Sequence, residues 1–332
     1  MEPLAHGGDL TAARQMFPNA PEPFIDLSTG INPHPYPLPT LPPEIFSRLP
    51  DRASVRRLAT IAAQCYGAPS ADHVVPAPGT QILLPQVAAL VRPGRAAILR
   101  TTYAEHARAA SLAGHSVSSV AHADELRGSD LAIVVNPNNP DGRIVPKAAL
   151  LAISDALRPR GGVLIVDESF ADVAPDGTSL AGDVERGNIV VLRSFGKFFG
   201  LAGLRLGFAL AAPSLANQLN RSLGPWAVAG PAILVGETAL ADESWRRRTL
   251  ASLAKAAERL DVLLARSGLE NIGGTSLYRL TRSSGARELF NHLGRASILI
   301  RRFAEDSSWL RWGLPHSEAD WQRLSTALDG RV

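Results

Sequence analysis

One cysteine, Cys65, stands in a chain of 332 residues. That excludes an intrachain disulfide and any CxxC metal or redox site, and it fits a reducing, cytoplasmic setting. No metal is expected. No run of about 18 apolar residues occurs, which predicts no membrane span. Residues 1–20 carry His6, Asp9, Arg14 and Pro18 without a continuous apolar segment, so no signal peptide is expected. The net charge is +3, but the arginines are dispersed and form no basic block. Neither nucleic acid nor a membrane surface is an expected partner. Lysine is also scarce. Lys147, Lys197 and Lys255 are the three lysines among 34 Lys and Arg residues.

What is present describes an ordinary globular chain, 45% hydrophobic and 20% charged, long enough for a large domain and a smaller one. Residues 1–43 are rich in proline and glycine and read as an extended arm laid over a body. Apolar residues at 55, 58, 59, 62 and 63 make a helical stripe from Ala53 to Tyr66 that stops at Gly67. Val74-Val75 then leads through Gly79-Thr80-Gln81 into an apolar helix over about 82–91. A strand, a glycine turn and a helix start form a natural anion site, because backbone N–H groups point outward there.

Short apolar runs (Ala96–Leu99, Ser116–Val120, Leu131–Val135, Val163–Val166, Asn188–Leu192) alternate with helical segments near 104–113 and 146–158. This is the pattern of a doubly wound α/β sheet, whose ligands sit beyond the carboxyl ends of the strands. Four such ends carry polar chemistry: Thr101-Thr102-Tyr103, Asn136 to Gly142, Asp167 to Phe170, and the lysine loop. An amphipathic helix spans about 242–267, and short strands at 276–281, 297–301 and 310–313 suggest a smaller α/β domain. There is no internal repeat. The expected division is an arm (1–25), a large domain (45–240), and a small domain built from 26–44 and 241–332.

Lys197 sits among aromatics and glycines in Arg193-Ser-Phe-Gly-Lys-Phe-Phe-Gly200. A desolvated lysine is a nucleophilic amine suited to a Schiff base, whereas a lysine reaching solvent from a tight loop is the plain reading. Asp167 ends a strand expected to be buried, where a carboxylate needs a cationic partner. An amine to hold a cofactor and an acid to protonate it suit pyridoxal 5′-phosphate. Asn139 suits the ring oxygen, Tyr103 the ring face, and Ser194, Arg205 and the Gly79-Thr80-Gln81 turn the phosphate. Singly, each reads as readily as a turn-forming Asn, a packed Tyr or a surface Arg. The conjunction carries the expectation.

Asn136-Pro-Asn-Asn-Pro-Asp-Gly142, Val166-Asp-Glu168, Ser194-Phe-Gly-Lys197 and Gly203-Leu-Arg-Leu-Gly207 resemble fold-type I pyridoxal-phosphate enzymes of the aminotransferase-like class. More narrowly they resemble the branch holding histidinol-phosphate aminotransferases and threonine-phosphate decarboxylases. The resemblance implies a large domain with a mostly parallel central sheet, a smaller α/β domain, and a homodimer. His6-Gly7-Gly8-Asp9, Thr29-Gly-Ile-Asn-Pro33, Phe170 and the stretches around Arg301 and Arg311 are similar to the decarboxylases of cobalamin biosynthesis. Leu49 departs from relatives that place a tyrosine before the proline to reach the neighbouring subunit's cofactor phosphate.

The implied reaction is decarboxylation of L-threonine O-3-phosphate to (R)-1-amino-2-propanol O-2-phosphate, with Lys197 as catalytic amine and proton donor and Asp167 as partner of the ring nitrogen. Arg311 is expected on the substrate carboxylate; Arg301, His6 and Gly7 are expected on its phosphate, with Asn32 and Asn139 lining the substrate. The arginines are interchangeable in this assignment, and Arg302 is a third candidate. The alternative activity is an aminotransferase of the histidinol-phosphate type. A catalytically silent regulator of the same fold needs a DNA-binding appendage, for which the chain leaves no residues.

Overall fold

The computed structural model describes residues 6–330, which fall into two units. The larger comprises Tyr36–Asn139 and Arg143–Arg246; the smaller comprises the chain up to Pro35, Pro140–Gly142 and the chain from Arg247 onward.

The larger unit is built on a seven-stranded sheet in the order Val74–Ala77, Gly207–Ala211, Ile189–Ser194, Val163–Asp167, Leu131–Val135, Arg95–Leu99, Ser116–Val120. Gly207–Ala211 runs antiparallel to both of its neighbours, and the remaining pairs are parallel. The expected α/β class with a mostly parallel sheet is therefore present. Leu131–Val135 and Val163–Asp167 are buried along their whole length, as strands covered on both faces must be. Val75, Leu83, Val87, Ile98, Ile133, Ile165, Val190 and Leu192 belong to one core cluster between sheet and helices.

Two sequence expectations change here. Ser116–Val120 is an exposed edge strand, not a buried apolar run; its serines face solvent because a single neighbour pairs with it. Gly207–Ala211, which begins at the last residue of the lysine motif, is a further interior strand of the sheet. Most helix limits fall within a residue or two of expectation, at Arg52–Tyr66, Glu105–Leu112, Lys147–Leu157 and Glu243–Arg266, while the helix expected over 82–91 runs Thr80–Ala88.

In the smaller unit, Arg301–Arg302, Trp309–Gly313, Tyr278–Arg282 and Glu270–Thr275 form a four-stranded antiparallel sheet in that order. The amino-terminal segment is more ordered than an extended arm. Leu10–Met16 is a helix capped by the Asp9 side chain, and Ile25–Asp26 pairs in parallel with Ile298–Leu299. Phe17 packs on Phe290 with ring centroids 5.8 Å apart, which ties this helix to the unit's core.

Candidate active site

In the larger unit, the expected cofactor residues gather at one end of the sheet because strand register aligns them. Asp167 pairs with Val135 on one side and Leu192 on the other, and Asn136 N–H donates to the Asp167 carbonyl at 2.8 Å. The turn bearing Asn138 and Asn139 therefore starts beside Asp167. Asn138 donates its side-chain amide to the Thr101 carbonyl at 2.8 Å, which joins two of the four strand-end clusters.

Asp167 is buried, and His106 Nε2 lies 2.8 Å from its Oδ2. Ser169 donates both its backbone N–H and its hydroxyl to Oδ1. Burial pushes this carboxyl up, but the hydrogen bond and charge of His106 and the two bonds from Ser169 outweigh it and hold Asp167 below the ordinary range. The result is a buried, ionised acid at a strand end. Sequence reasoning missed His106. Its one signal was position, three residues beyond Tyr103 in the first turn of the helix Glu105–Leu112.

Tyr103 is half-buried and its ring stands edge-on to His106, with centroids 6.1 Å apart. Its hydroxyl donates to Gln81 Oε1 at 3.1 Å, and Gln81 donates in turn to Glu105. Gln81 thus orients Tyr103 rather than presenting its amide alone.

The anion cradle expected at Gly79-Thr80 is built from three strands. Ala77 pairs with Gly207, and Gly207 pairs with Ser194, so the Thr80–Ala88 helix start, the Arg205 turn and Ser194 share one edge. Gly79 has φ of +85°, and a Cβ there would lie 2.6 Å from Arg205 Nη2. A Cβ on Gly207 would lie 2.7 Å from Thr80 N. Glycine at both places lets a guanidinium and a helix N-terminus come together, the donor set that a phosphate needs. Arg205 holds a positive φ of 53° and donates Nη1 to the Ala202 carbonyl at 3.0 Å.

Lys197 lies in the four-residue helix Phe195–Phe198, half-buried, with Nζ 5.9 Å from the centroid of the Phe170 ring. Its amine therefore lies over an apolar ring. Beneath it runs a second feature absent from the sequence reading. Arg193 pairs with Glu168 at 3.1 Å and Asp172 at 2.9 Å; Arg193 and Glu168 are buried and Asp172 is half-buried. This network bolts together the ends of the strands that carry Asp167 and Ser194.

In the smaller unit, Arg301 and Arg311 are register partners on adjacent strands. Both guanidiniums lie over Phe303, at 5.6 and 5.9 Å, and Arg311 lies 5.3 Å from the Tyr278 centroid. Burial, with the neighbouring Arg301 charge adding to it, pushes Arg311 down to about 10. Arg311 Nη2 donates to the Ser28 carbonyl at 2.7 Å, and Gly8 N–H donates to the Ser28 hydroxyl at 2.8 Å. Gly8 is so joined through Ser28 to Arg311, and Gly7 packs directly on the Ser28 carbonyl, while His6 is exposed. Asn32 is buried, and its Oδ1 accepts the His34 N–H at 2.9 Å in a local turn. Arg302 points elsewhere, over Phe290 at 5.3 Å.

Residues 46–328 match the family model of class I and II aminotransferases. The chain belongs to this family. Within it, the chain is 42% identical to a threonine-phosphate decarboxylase of Pseudomonas aeruginosa over 330 residues, covering 98% of each. It is 43% identical to a threonine-phosphate decarboxylase of a Sinorhizobium species over 331 residues, again covering 98% of each. The fold is also similar to the crystal structure of histidinol-phosphate aminotransferase from Sinorhizobium meliloti in complex with pyridoxal-5′-phosphate, with a TM-score of 0.80 at 21% identity, covering 96% of this chain and 92% of that one. Members of the aminotransferase family need a place for an amine, an acid and an anion. Lys197 offers an amine, Asp167 an ionised carboxylate, and the Gly79–Arg205 turn a guanidinium beside a helix N-terminus, a donor set that fits pyridoxal 5′-phosphate.

Proposed function

We propose that this protein is a pyridoxal 5′-phosphate-dependent decarboxylase that converts L-threonine O-3-phosphate to (R)-1-amino-2-propanol O-2-phosphate and carbon dioxide, a step of cobalamin biosynthesis. The observation that carries the reading is identity over nearly the whole chain to two threonine-phosphate decarboxylases. The adjacent Arg301 and Arg311 guanidiniums support it, since the substrate carries a carboxylate and a phosphate.

Bound in the larger unit, pyridoxal phosphate supplies an electron sink for the bond broken at the substrate Cα. Lys197 holds the cofactor through its amine, and afterwards delivers a proton to Cα as general acid. Asp167, kept ionised by His106 and Ser169, holds the proton on the ring nitrogen. Ser194, Arg205 and the Gly79-Thr80-Gln81 turn bind the phosphate; Tyr103 stacks on the ring, and Asn139 donates to the ring oxygen. Arg311 takes the substrate carboxylate, whose planar oxygens match its fork. Arg301, His6 and Gly7 take the substrate phosphate, and Asn32 and Asn139 line the substrate. By clamping both anionic ends, these residues would fix the orientation of the substrate's Cα bonds and so favour loss of carbon dioxide over loss of a proton. The protein works as a homodimer in the cytoplasm in this reading.

Product analysis of purified protein with pyridoxal phosphate and threonine phosphate, without a keto acid, tests the proposal. Carbon dioxide and aminopropanol phosphate are expected. Turnover that requires a keto acid would move the protein to the aminotransferases.

A further inference from the structure

The Phe195–Phe198 helix that carries Lys197 is a single turn, too short to hold its own geometry in water. Its position must come from what it packs against. The Phe195 and Phe199 rings stack at 4.4 Å and 11°, and Phe199 stacks on Trp245 at 5.5 Å and 10°. Phe198 meets the same indole edge-on at 5.6 Å. Tyr36 closes the group, edge-on to Trp245 at 5.0 Å, with its backbone N–H donating to the Phe199 carbonyl at 2.9 Å.

Polar bonds complete a ring of four residues. The Tyr36 hydroxyl donates to Asp242 at 3.3 Å. The Asp242 side chain accepts the Trp245 N–H at 2.9 Å and the Ser244 hydroxyl at 2.8 Å, at the start of the helix Glu243–Arg266. Tyr36 and Trp245 lie at the two ends of the larger unit's chain, which opens at Tyr36 and closes at Arg246. Tyr36 thus bonds Asp242, 206 positions away, through its hydroxyl, and through its N–H the backbone of Phe199, two residues from the lysine.

We propose that Tyr36, Asp242, Trp245 and Phe199 form a clasp that positions Lys197, with Trp245 as its central positioning residue. The inference rests on the reading that Lys197 is the cofactor-holding amine. The clasp acts through the lysine turn, whose height and tilt it fixes. A displacement of about 1 Å in a reacting group can cost about a hundredfold in rate, so a turn that cannot hold itself needs such a frame. The stacked rings are hemmed in by Phe198 and Tyr36, which meet the indole edge-on, and the Tyr36–Asp242 bond sets their register.

The test compares the full-length protein with Trp245→Leu, Trp245→Phe and Tyr36→Phe. Three quantities are measured: the pH midpoint of the visible absorbance of the bound cofactor without substrate, hydrogen exchange of backbone amides 195–200 in the cofactor-free protein, and kcat and KM. Trp245→Leu is expected to shift the midpoint by roughly half a pH unit or more. It should speed exchange at 195–200 about tenfold, and lower kcat about tenfold with KM changed by less than about twofold. Trp245→Phe, which keeps a ring in the stack, should return each quantity to within about twofold of the parent. Tyr36→Phe should fall between the two.

The clasp is refuted if Trp245→Leu lowers the melting temperature while the midpoint, exchange and kcat stay at parental values, because that is a structural role alone. It is equally refuted if Trp245→Phe behaves as Trp245→Leu does. A parent protein with no visible band would defeat the cofactor reading instead, and exchange at 195–200 would still decide whether the clasp holds the turn.

Discussion

The imidazole of His106 and the carboxylate of Asp167 meet at 2.8 Å, Nε2 to Oδ2, with both side chains buried. A carboxylate at that depth would be expected to take up a proton unless partnered. His106 and Ser169 supply the partners, so the acid stays charged at the strand end.

That pairing sets an acid limit. A carboxyl lowered by folding contributes stability that is present above its unfolded value of about 3.9 and lost as pH falls through the folded value. His106→Phe removes two of the causes that lower Asp167. The acid limb of unfolding should move to higher pH, and stability near neutrality should fall by about 3 kcal/mol. Urea unfolding across the acid range measures both, and an unmoved acid limb would count against the pairing.

Lys197→Ala should abolish the visible absorbance of the bound cofactor and lower decarboxylation by at least about a thousandfold. Spectra and carbon dioxide release report the two independently. A variant that retained the band would sink the assignment of the amine.

Gly79→Ala should weaken cofactor binding, because the position has a positive φ and its Cβ would press on the Arg205 guanidinium at 2.6 Å. Arg205→Ala removes a charged donor from the same cradle, a loss of about 2 kcal/mol or roughly thirtyfold in affinity. Titration of the cofactor-free protein with pyridoxal phosphate distinguishes this from a surface role for Arg205, which would leave affinity unchanged.

Arg311→Lys keeps a cation but removes the planar fork. It should raise KM for threonine phosphate about tenfold or more, with the cofactor spectrum intact. Arg301→Ala should do the same, and inorganic phosphate should compete less well with substrate in that variant than in the parent. Equal inhibition in both proteins would place the substrate phosphate elsewhere.

Much of this protein is legible in one dimension. Leu131–Val135 and Val163–Asp167 announce a buried parallel sheet because strands covered on both faces must be apolar throughout. Lys197 stands out because arginine carries nearly all the cationic surface, which leaves a lysine between phenylalanines and glycines unexplained by solvation. Asp167 follows from its place at the end of such a strand. These are local facts, set by what a residue's immediate neighbours are.

Other features have no local signature. His106 is one histidine on a short helix, and only its meeting with Asp167, 61 positions away, gives it a task. The Arg193–Glu168–Asp172 network and the edge-on Tyr36–Trp245 contact likewise join residues whose types suit many settings. Leu10–Met16 looked like part of an extended arm because proline and glycine dominate its surroundings, yet an Asp9 cap and the contact of Phe17 with Phe290 make it a docked helix. By itself the sequence determined which chemistries are present and that a mostly parallel sheet would carry them. Tertiary structure decided which side chains stand together, since hydrogen bonds and ring contacts depend on distances of a few ångströms that chain order does not encode.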